Sequence, residues 1–203
     1  MNKRGKFIVF EGGDAAGKST QAELFAAKVN ALLTREPGGT KLGERIRSLL
    51  LVPDGDVLLM PKAELFLMAA ARAQHVKEVI EPALEQGRNV VCDRYSASTL
   101  AYQGFGRGLP IDEVEEVVGF ASYGLEPDIY VLLDISLEVA LTRKSLGGDR
   151  IEDEGQSFHE RVLEGFRRLA SDNPASWVVV DASRSIAETA ETVNSLVLPR
   201  LGD

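Results

Sequence analysis

One cysteine, one tryptophan and two histidines stand in 203 residues, and no uncharged apolar run approaches eighteen. The lone Cys92 excludes an internal disulfide. It closes the apolar run Val90-Val91-Cys92, which predicts a small buried hydrophobe in a reducing, cytoplasmic setting. The apolar runs are too short for a membrane-spanning helix. Met1–Lys6 is basic but leads straight into the first apolar run with no cleavage site, so no signal peptide is expected. Positive charge is also scarce: 23 Lys and Arg against 31 Asp and Glu give a net charge of −8, which argues against nonspecific nucleic-acid binding. Any phosphate must therefore be held by local placement of Arg and Lys on an acidic background.

The remaining composition, 44% hydrophobic and 27% charged, is that of a globular α/β chain, and a single domain over 1–203 is expected. Short apolar runs alternate with helical patterns, as in βαβ units on a parallel sheet. Strands are predicted at 6–10, 32–35, 89–93, 129–134 and 177–181. Helices are predicted at 19–29, 42–51, 61–86, 111–123, 137–144, 157–171 and 186–201, the last opened by a Ser185/Glu188 capping box. The polar, glycine-containing stretch 144–156 between two helices is a lid candidate.

Gly12-Gly13-Asp14-Ala15-Ala16-Gly17-Lys18-Ser19 spells G-x-x-x-x-G-K-[ST] directly after the run Phe7–Phe10 and before a helical pattern opening at Ser19-Thr20. Glycines let successive N–H groups turn inward on phosphate oxygens, and the helix N-terminus adds partial positive charge. Lys18 is placed to reach the β/γ-phosphates and Ser19 to offer a hydroxyl to Mg²⁺. This chemistry implies a bound nucleoside triphosphate with Mg²⁺ beside it.

Other segments fall at the C-terminal ends of predicted strands, the ligand-binding edge of an α/β sheet. Asp93 is a second magnesium ligand candidate and Arg94 a phosphate grip. Arg35-Glu36-Pro37-Gly38-Gly39-Thr40 forms a fixed turn with Arg35 or Glu36 at the site. Arg45 and Arg47 point to different faces of their helix, so one of them is functional. Met68 and Arg72 share a helix face, an apolar platform plus a guanidinium suited to a nucleobase. His75 is expected to be a partly exposed helix residue. Ser98 and Tyr102 share a face, and the Gln103 amide is able to read a base edge.

Taken together, Phe10-Glu11-Gly12 through Thr20, Thr34-Arg35-Glu36-Pro37-Gly38-Gly39-Thr40, Asp93-Arg94-Tyr95, Ala101-Tyr102-Gln103-Gly104, Asp149-Arg150-Ile151-Glu152 and Asp181-Ala182-Ser183 resemble bacterial thymidylate kinases, over essentially the whole chain. The resemblance implies a three-layer P-loop kinase fold with a five-stranded parallel sheet and a small lid, ATP and dTMP as substrates, and a homodimer. It implies that Lys18 and the loop amides hold ATP, with Asp181 and Ala182 near the adenine, and that Asp14 reaches the sugar 3′-hydroxyl. Arg94 and Arg47 would bind the monophosphate, and Arg72 the thymine edge. Ser98 and Gln103 would lie along the base, Tyr102 would crowd the 2′ position, and Glu36 and Pro37 would complete the acceptor site.

Two departures stand out. Met68 replaces the usual stacking phenylalanine, while Phe66 lies about 120° away around the helix. The resemblance implies a catalytic arginine in either the P-loop or the lid; Ala15 and Ala16 exclude the P-loop, which leaves Arg143, Lys144 and Arg150 as the basic lid candidates, with Arg143 and Arg150 favoured. The implied reaction is in-line transfer of the ATP γ-phosphoryl group to dTMP. A P-loop kinase for another nucleotide or small metabolite, or a noncatalytic nucleotide-binding regulator, are the competing readings. A GTPase switch is excluded by the lack of an Asn-Lys-x-Asp guanine reader.

Overall fold

The computed structural model describes residues 3–52, 58–143 and 149–202. Five parallel strands, β1 (Phe7–Glu11), β2 (Leu32–Arg35), β3 (Val90–Asp93), β4 (Ile129–Asp134) and β5 (Trp177–Asp181), lie in the order β2-β3-β1-β4-β5. These are the five expected strands, shifted by a residue at some ends. The central strand β1 is buried throughout, whereas the edge strands β2 and β5 expose alternate or near-alternate residues. That is why the centre reads as a continuous apolar run.

The two faces of β1 seed two cores, as the two-residue period of a strand dictates. Phe7 and Val9 pack with Tyr95, Tyr102, Phe158 and Phe166; Ile8 and Phe10 pack with Phe25, Val131, Val193 and Val197. The second face is covered by α1 (Lys18–Lys28) and α9 (Ile186–Leu201), the latter opened by the expected capping box. The first is covered by α8 (Gln156–Asp172) with the helical segments that follow β2 and β3, which completes three layers. α2 (Lys41–Leu51) and α6 (Ile111–Ala121) pack against α3 (Pro61–His75).

Two helical stretches differ from expectation. The single helix predicted over 61–86 is α3, a π-helical turn at Val76–Ile80, and α4 (Glu81–Glu85). The Glu81 N–H reaches back to the Val76 carbonyl, and the widened turn ends at Pro82, which has no N–H to continue an ordinary ladder. The helix expected to carry Ser98 and Tyr102 is α5 (Ser96–Thr99), which continues into a π-helical stretch Leu100–Gly106 that carries Tyr102 and Gln103. Its N-terminal amides are capped from another element: Tyr95 N and Ser98 N both donate to Glu11 Oε1, at 2.9 and 3.1 Å. A cap that lies more than eighty residues upstream leaves no local signature.

The expected lid follows α7 (Leu137–Arg143). Residues 144–148, with Lys144, lie outside the described residues. Beyond them Asp149 Oδ1 accepts from Ile151 N and Glu152 N, both at 2.9 Å, and Ile151 is buried in the first core.

Candidate active site

Strand β1 runs into the glycine-rich loop, and the loop into α1. Gly12 has φ +143°, and a Cβ there would sit 2.5 Å from the Leu133 carbonyl oxygen, so only glycine fits. Lys18 is buried and donates to the Gly13 carbonyl at 2.5 Å. Burial first, then the neighbouring Arg94 charge, push its ammonium down to about 8, against the pull of Asp14, Asp93 and Glu11. Ser19 Oγ donates to Asp93 Oδ2 at 2.5 Å, while Asp93 Oδ1 is buried without a hydrogen-bond partner. An orphaned carboxylate oxygen beside a hydroxyl fits Mg²⁺, which takes one or two protein ligands and completes its shell with water and phosphate. Accordingly, the described residues hold no larger cluster of His, Cys, Asp and Glu suited to a metal.

Across the loop, Arg94 sits at the end of β3 with φ +69°, a strained backbone for a residue with a side chain. Its guanidinium donates to the Gly12 carbonyl at 3.1 Å, to Ser98 Oγ at 3.2 Å and to Asp14 Oδ1 at 2.6 Å, and lies 4.9 Å from the Tyr102 ring centroid. Tyr102 OH donates to the same Asp14 oxygen at 2.9 Å. Burial works to raise the Asp14 carboxyl, but Arg94 and Lys18 together hold it below its ordinary value. Asp14 Oδ2 is left buried and without a hydrogen bond.

Beneath this cluster lies Glu11, fully buried, with Oε2 accepting from Ser98 Oγ at 2.6 Å. Burial raises its carboxyl to about 7, against the opposing Ser98 hydrogen bond and Arg94 charge. The sequence reading quoted Glu11 in its motif but assigned it no role; an acid closing an apolar strand was the available signal.

The far end of the cleft is built on α3. Arg72 is buried: Nε donates to Glu36 Oε2 at 2.8 Å, and Nη2 to the Tyr95 carbonyl at 3.0 Å and Thr99 Oγ1 at 2.9 Å. Its remaining nitrogen, Nη1, is buried without a partner. His75 is fully buried, not partly exposed as expected, held between Glu36 Oε1 at 3.0 Å and Thr34 Oγ1 at 2.6 Å. Helical spacing puts it close to the Arg72 face, and the turn after β2 closes over both; a one-dimensional pattern shows only the first of these.

These groups share one cleft of about 630 Å³. All ten residues expected at the acceptor site line it, and so do Ala15, Gly17, Lys18, Ser19 and Thr20 from the P-loop. Gly12, Gly13 and Ala16 form the loop behind it. Met68 faces the cleft, whereas Phe66 is 58% exposed on the outer side of α3. Arg47 lines the cleft and donates to the Pro37 carbonyl at 2.9 Å, while Arg45 is exposed.

Neither expected lid arginine lines the cleft. Arg143 donates to the carbonyls of Ala182 at 2.8 Å and Ser183 at 3.0 Å, which anchors the 181–183 turn in which Asp181 accepts from Ser183. Just beyond that turn, the Ile186 carbonyl at the start of α9 accepts from Gln21 Nε2 of α1 at 2.9 Å. Arg150 is held by the Leu50 carbonyl and by the buried Glu64 carboxylate. Its guanidinium is drawn inward because Glu64 requires a counter-charge, a demand no sequence pattern displays.

A family model for thymidylate kinase matches residues 10–193. The chain is 47% identical over 200 residues to a thymidylate kinase of Synechococcus sp. (strain JA-3-3Ab), covering 96% of each chain. It is 49% identical to that of Pelotomaculum thermopropionicum, covering 90% of this chain and 88% of the other. Its fold matches the crystal structure of thymidylate kinase from Ehrlichia chaffeensis with a TM-score of 0.75 at 31% identity, over 95% of this chain and 99% of the other. With both strand-end clusters of the cleft in the positions its sequence motifs required, the chain belongs to the thymidylate kinase family.

Proposed function

We propose that the chain transfers the γ-phosphoryl group of ATP to the 5′-phosphate of dTMP, giving dTDP and ADP. The observation that carries this reading is the continuity of the cleft. One end is a P-loop with a buried lysine, and the other presents a buried guanidinium nitrogen with no partner, Arg72 Nη1. A donor held in that way fits the carbonyl edge of a pyrimidine, with Met68 packed on its face.

The acceptor is already a phosphate oxygen anion, so the site needs no strong base. Positioning and charge neutralisation carry the reaction. Lys18 would meet the β/γ-phosphates, whose charge restores its full protonation. Arg94 and Arg47 would grip the acceptor phosphate, with Asp14 Oδ2 turned to the sugar hydroxyl. Ser19 and Asp93 would hold Mg²⁺, which supplies further neutralisation of phosphate charge when bound. Tyr102 would fill the space that a 2′-hydroxyl requires.

Of the two lid candidates, Arg143 remains the better source of a catalytic guanidinium, since its partners are neutral backbone carbonyls, those of Ser183 and Arg184 exposed, and its release leaves no buried charge unpaired. Releasing Arg150 would strip a counter-charge from buried Glu64. The Asp181-Ala182 turn would border the adenine. The chain would act as one domain in the cytoplasm, and as a homodimer in line with its resemblance. The exposed Phe66, Phe120 and Tyr123, which flank a groove floored by Ala69, Ala70 and Ala73, give a second copy an apolar face. Sedimentation of the wild type and of Phe120→Glu checks that last point, with a dimer expected only for the former.

ADP release measured with ATP, Mg²⁺ and each nucleoside monophosphate in turn tests the main reading. Turnover is expected with dTMP far above the others. Preference for a different monophosphate, or no turnover with any, would overturn it.

A further inference from the structure

Glu64 lies one helical turn before Met68 and two before Arg72, on the face of α3 that meets the cleft. It is 1% exposed yet sits outside the cleft lining. Oε1 accepts from Gln103 Nε2 at 2.8 Å and from Arg107 Nε at 3.2 Å; Oε2 accepts from Arg107 Nη2 at 3.1 Å and from Arg150 Nη2. Burial favours the neutral acid, but the hydrogen bonds from Arg107, Arg150 and Gln103 outweigh it and keep the group ionised. An ionised carboxylate only accepts, so the Gln103 amide is obliged to turn its nitrogen toward Glu64. Its carbonyl oxygen is then the opposite end of an amide that lines the cleft.

We propose that Glu64 is a positioning residue for base selection, fixing the Gln103 amide so that it presents an acceptor to the bound base. The inference rests on the dTMP reading above. Thymine offers an N3–H donor and an O4 acceptor. Cytosine offers an N3 acceptor and an amino donor. A Gln103 carbonyl in the same cleft as the Arg72 Nη1 donor matches the first pattern, carbonyl to N3–H and guanidinium to O4, and opposes the second in that register. Flipping the amide to suit cytosine would set its carbonyl against the Glu64 carboxylate in a buried site, an acceptor facing an acceptor, with the hydrogen bond between them lost. Specificity then comes from what Glu64 forbids as well as from what Gln103 makes.

Glutamine at 64 both donates and accepts, so it tolerates either amide orientation. Steady-state kcat and KM for dTMP and dCMP are measured in the wild type, Glu64→Gln, Gln103→Ala and the double variant. Glu64→Gln is expected to narrow the dTMP:dCMP ratio of kcat/KM by about tenfold or more, with the dTMP KM rising and the dCMP KM falling. It should add nothing to the ratio once Gln103 is alanine. Arg107→Gln, which leaves Glu64 an acceptor, should lower stability and keep the ratio.

An unchanged ratio in Glu64→Gln, a fall of both substrates alike, or equal narrowing in Arg107→Gln would each overturn the proposal. If Glu64→Gln does not fold, Gln103→Ala carries the test, and an unchanged ratio there overturns it. Absence of dTMP turnover in the wild type sinks the dTMP reading itself, a different failure from dTMP turnover with an unmoved ratio.

Discussion

The two ends of the cleft are built by different means. The donor end comes from a single stretch, 12–20, and does most of its work with backbone: a glycine loop, a helix N-terminus and one buried lysine. The acceptor end gathers side chains from many elements, among them Glu36 after β2, Arg47 on α2, Arg72 on α3, Arg94 after β3 and Gln103 on the π-helical stretch. It is wired in advance by ion pairs and hydrogen bonds, with buried Glu36 shared by Arg72 and His75 and half-buried Asp14 shared by Arg94 and Tyr102. A backbone-made site separates binding from stability, because its side chains are few. In a side-chain site each contact also balances a buried charge, so function and folding are disturbed together.

Breaking the donor end should therefore give the largest loss of activity with the least loss of fold. Lys18→Ala is expected to lower kcat by about 10³-fold or more, with circular dichroism and the melting temperature little changed. A variant that keeps most of its turnover would move the donor-end charge elsewhere.

At the acceptor end the same operation should cost both properties. Arg72→Ala leaves Glu36 buried with His75 as its remaining partner. It is expected to destabilise the protein by about 3–5 kcal/mol and to raise the dTMP KM at least about tenfold. Urea unfolding and initial-rate kinetics on one preparation check the pair of effects. A KM change with unaltered stability would erase the contrast between the two ends.

Glu11 lies beneath both halves and sharpens the comparison through pH. Its folded value of about 7 lies above the ordinary 4.5. Its contribution to stability is therefore complete below pH 4.5 and is lost as pH rises through 7, because the unfolded chain gives up the proton first. The stability advantage of the wild type over Glu11→Gln should shrink by about 3 kcal/mol between pH 4.5 and 7. Denaturant titrations of both proteins at the two ends of that window read this directly, and a constant difference would contradict it.

The smallest effect is expected at Tyr102, where ring and hydroxyl have separate tasks. Tyr102→Phe removes the bond to Asp14 and keeps the ring beside Arg94, for a loss of about 1 kcal/mol in kcat/KM. Preference for the deoxyribonucleotide should survive in Tyr102→Phe and decline in Tyr102→Ala. Equal preference in both variants would detach the ring from sugar selection.

The five strands and most helices were legible because a buried parallel strand and an amphipathic helix each impose a period on their own residues. The helix after β3, evident only through the shared face of Ser98 and Tyr102, shows the limit: its cap is Glu11, and its π turns place Tyr102 and Gln103 by tertiary packing rather than by local propensity. His75 shows the same limit from the other side. Its helix was evident, but the turn that buries it comes from a segment about forty residues earlier.

By itself the sequence determined the P-loop, the order of the strands along the chain and the family, since contiguous residues carry all three. Tertiary structure alone decided which groups became partners. It set Arg150 on Glu64 instead of in the cleft, turned Met68 inward and Phe66 outward, and left single atoms of Asp14, Arg72 and Asp93 buried without a hydrogen bond. The physical reason is that a buried charge must find its counterpart in space, and distance along the chain places no constraint on where that counterpart lies.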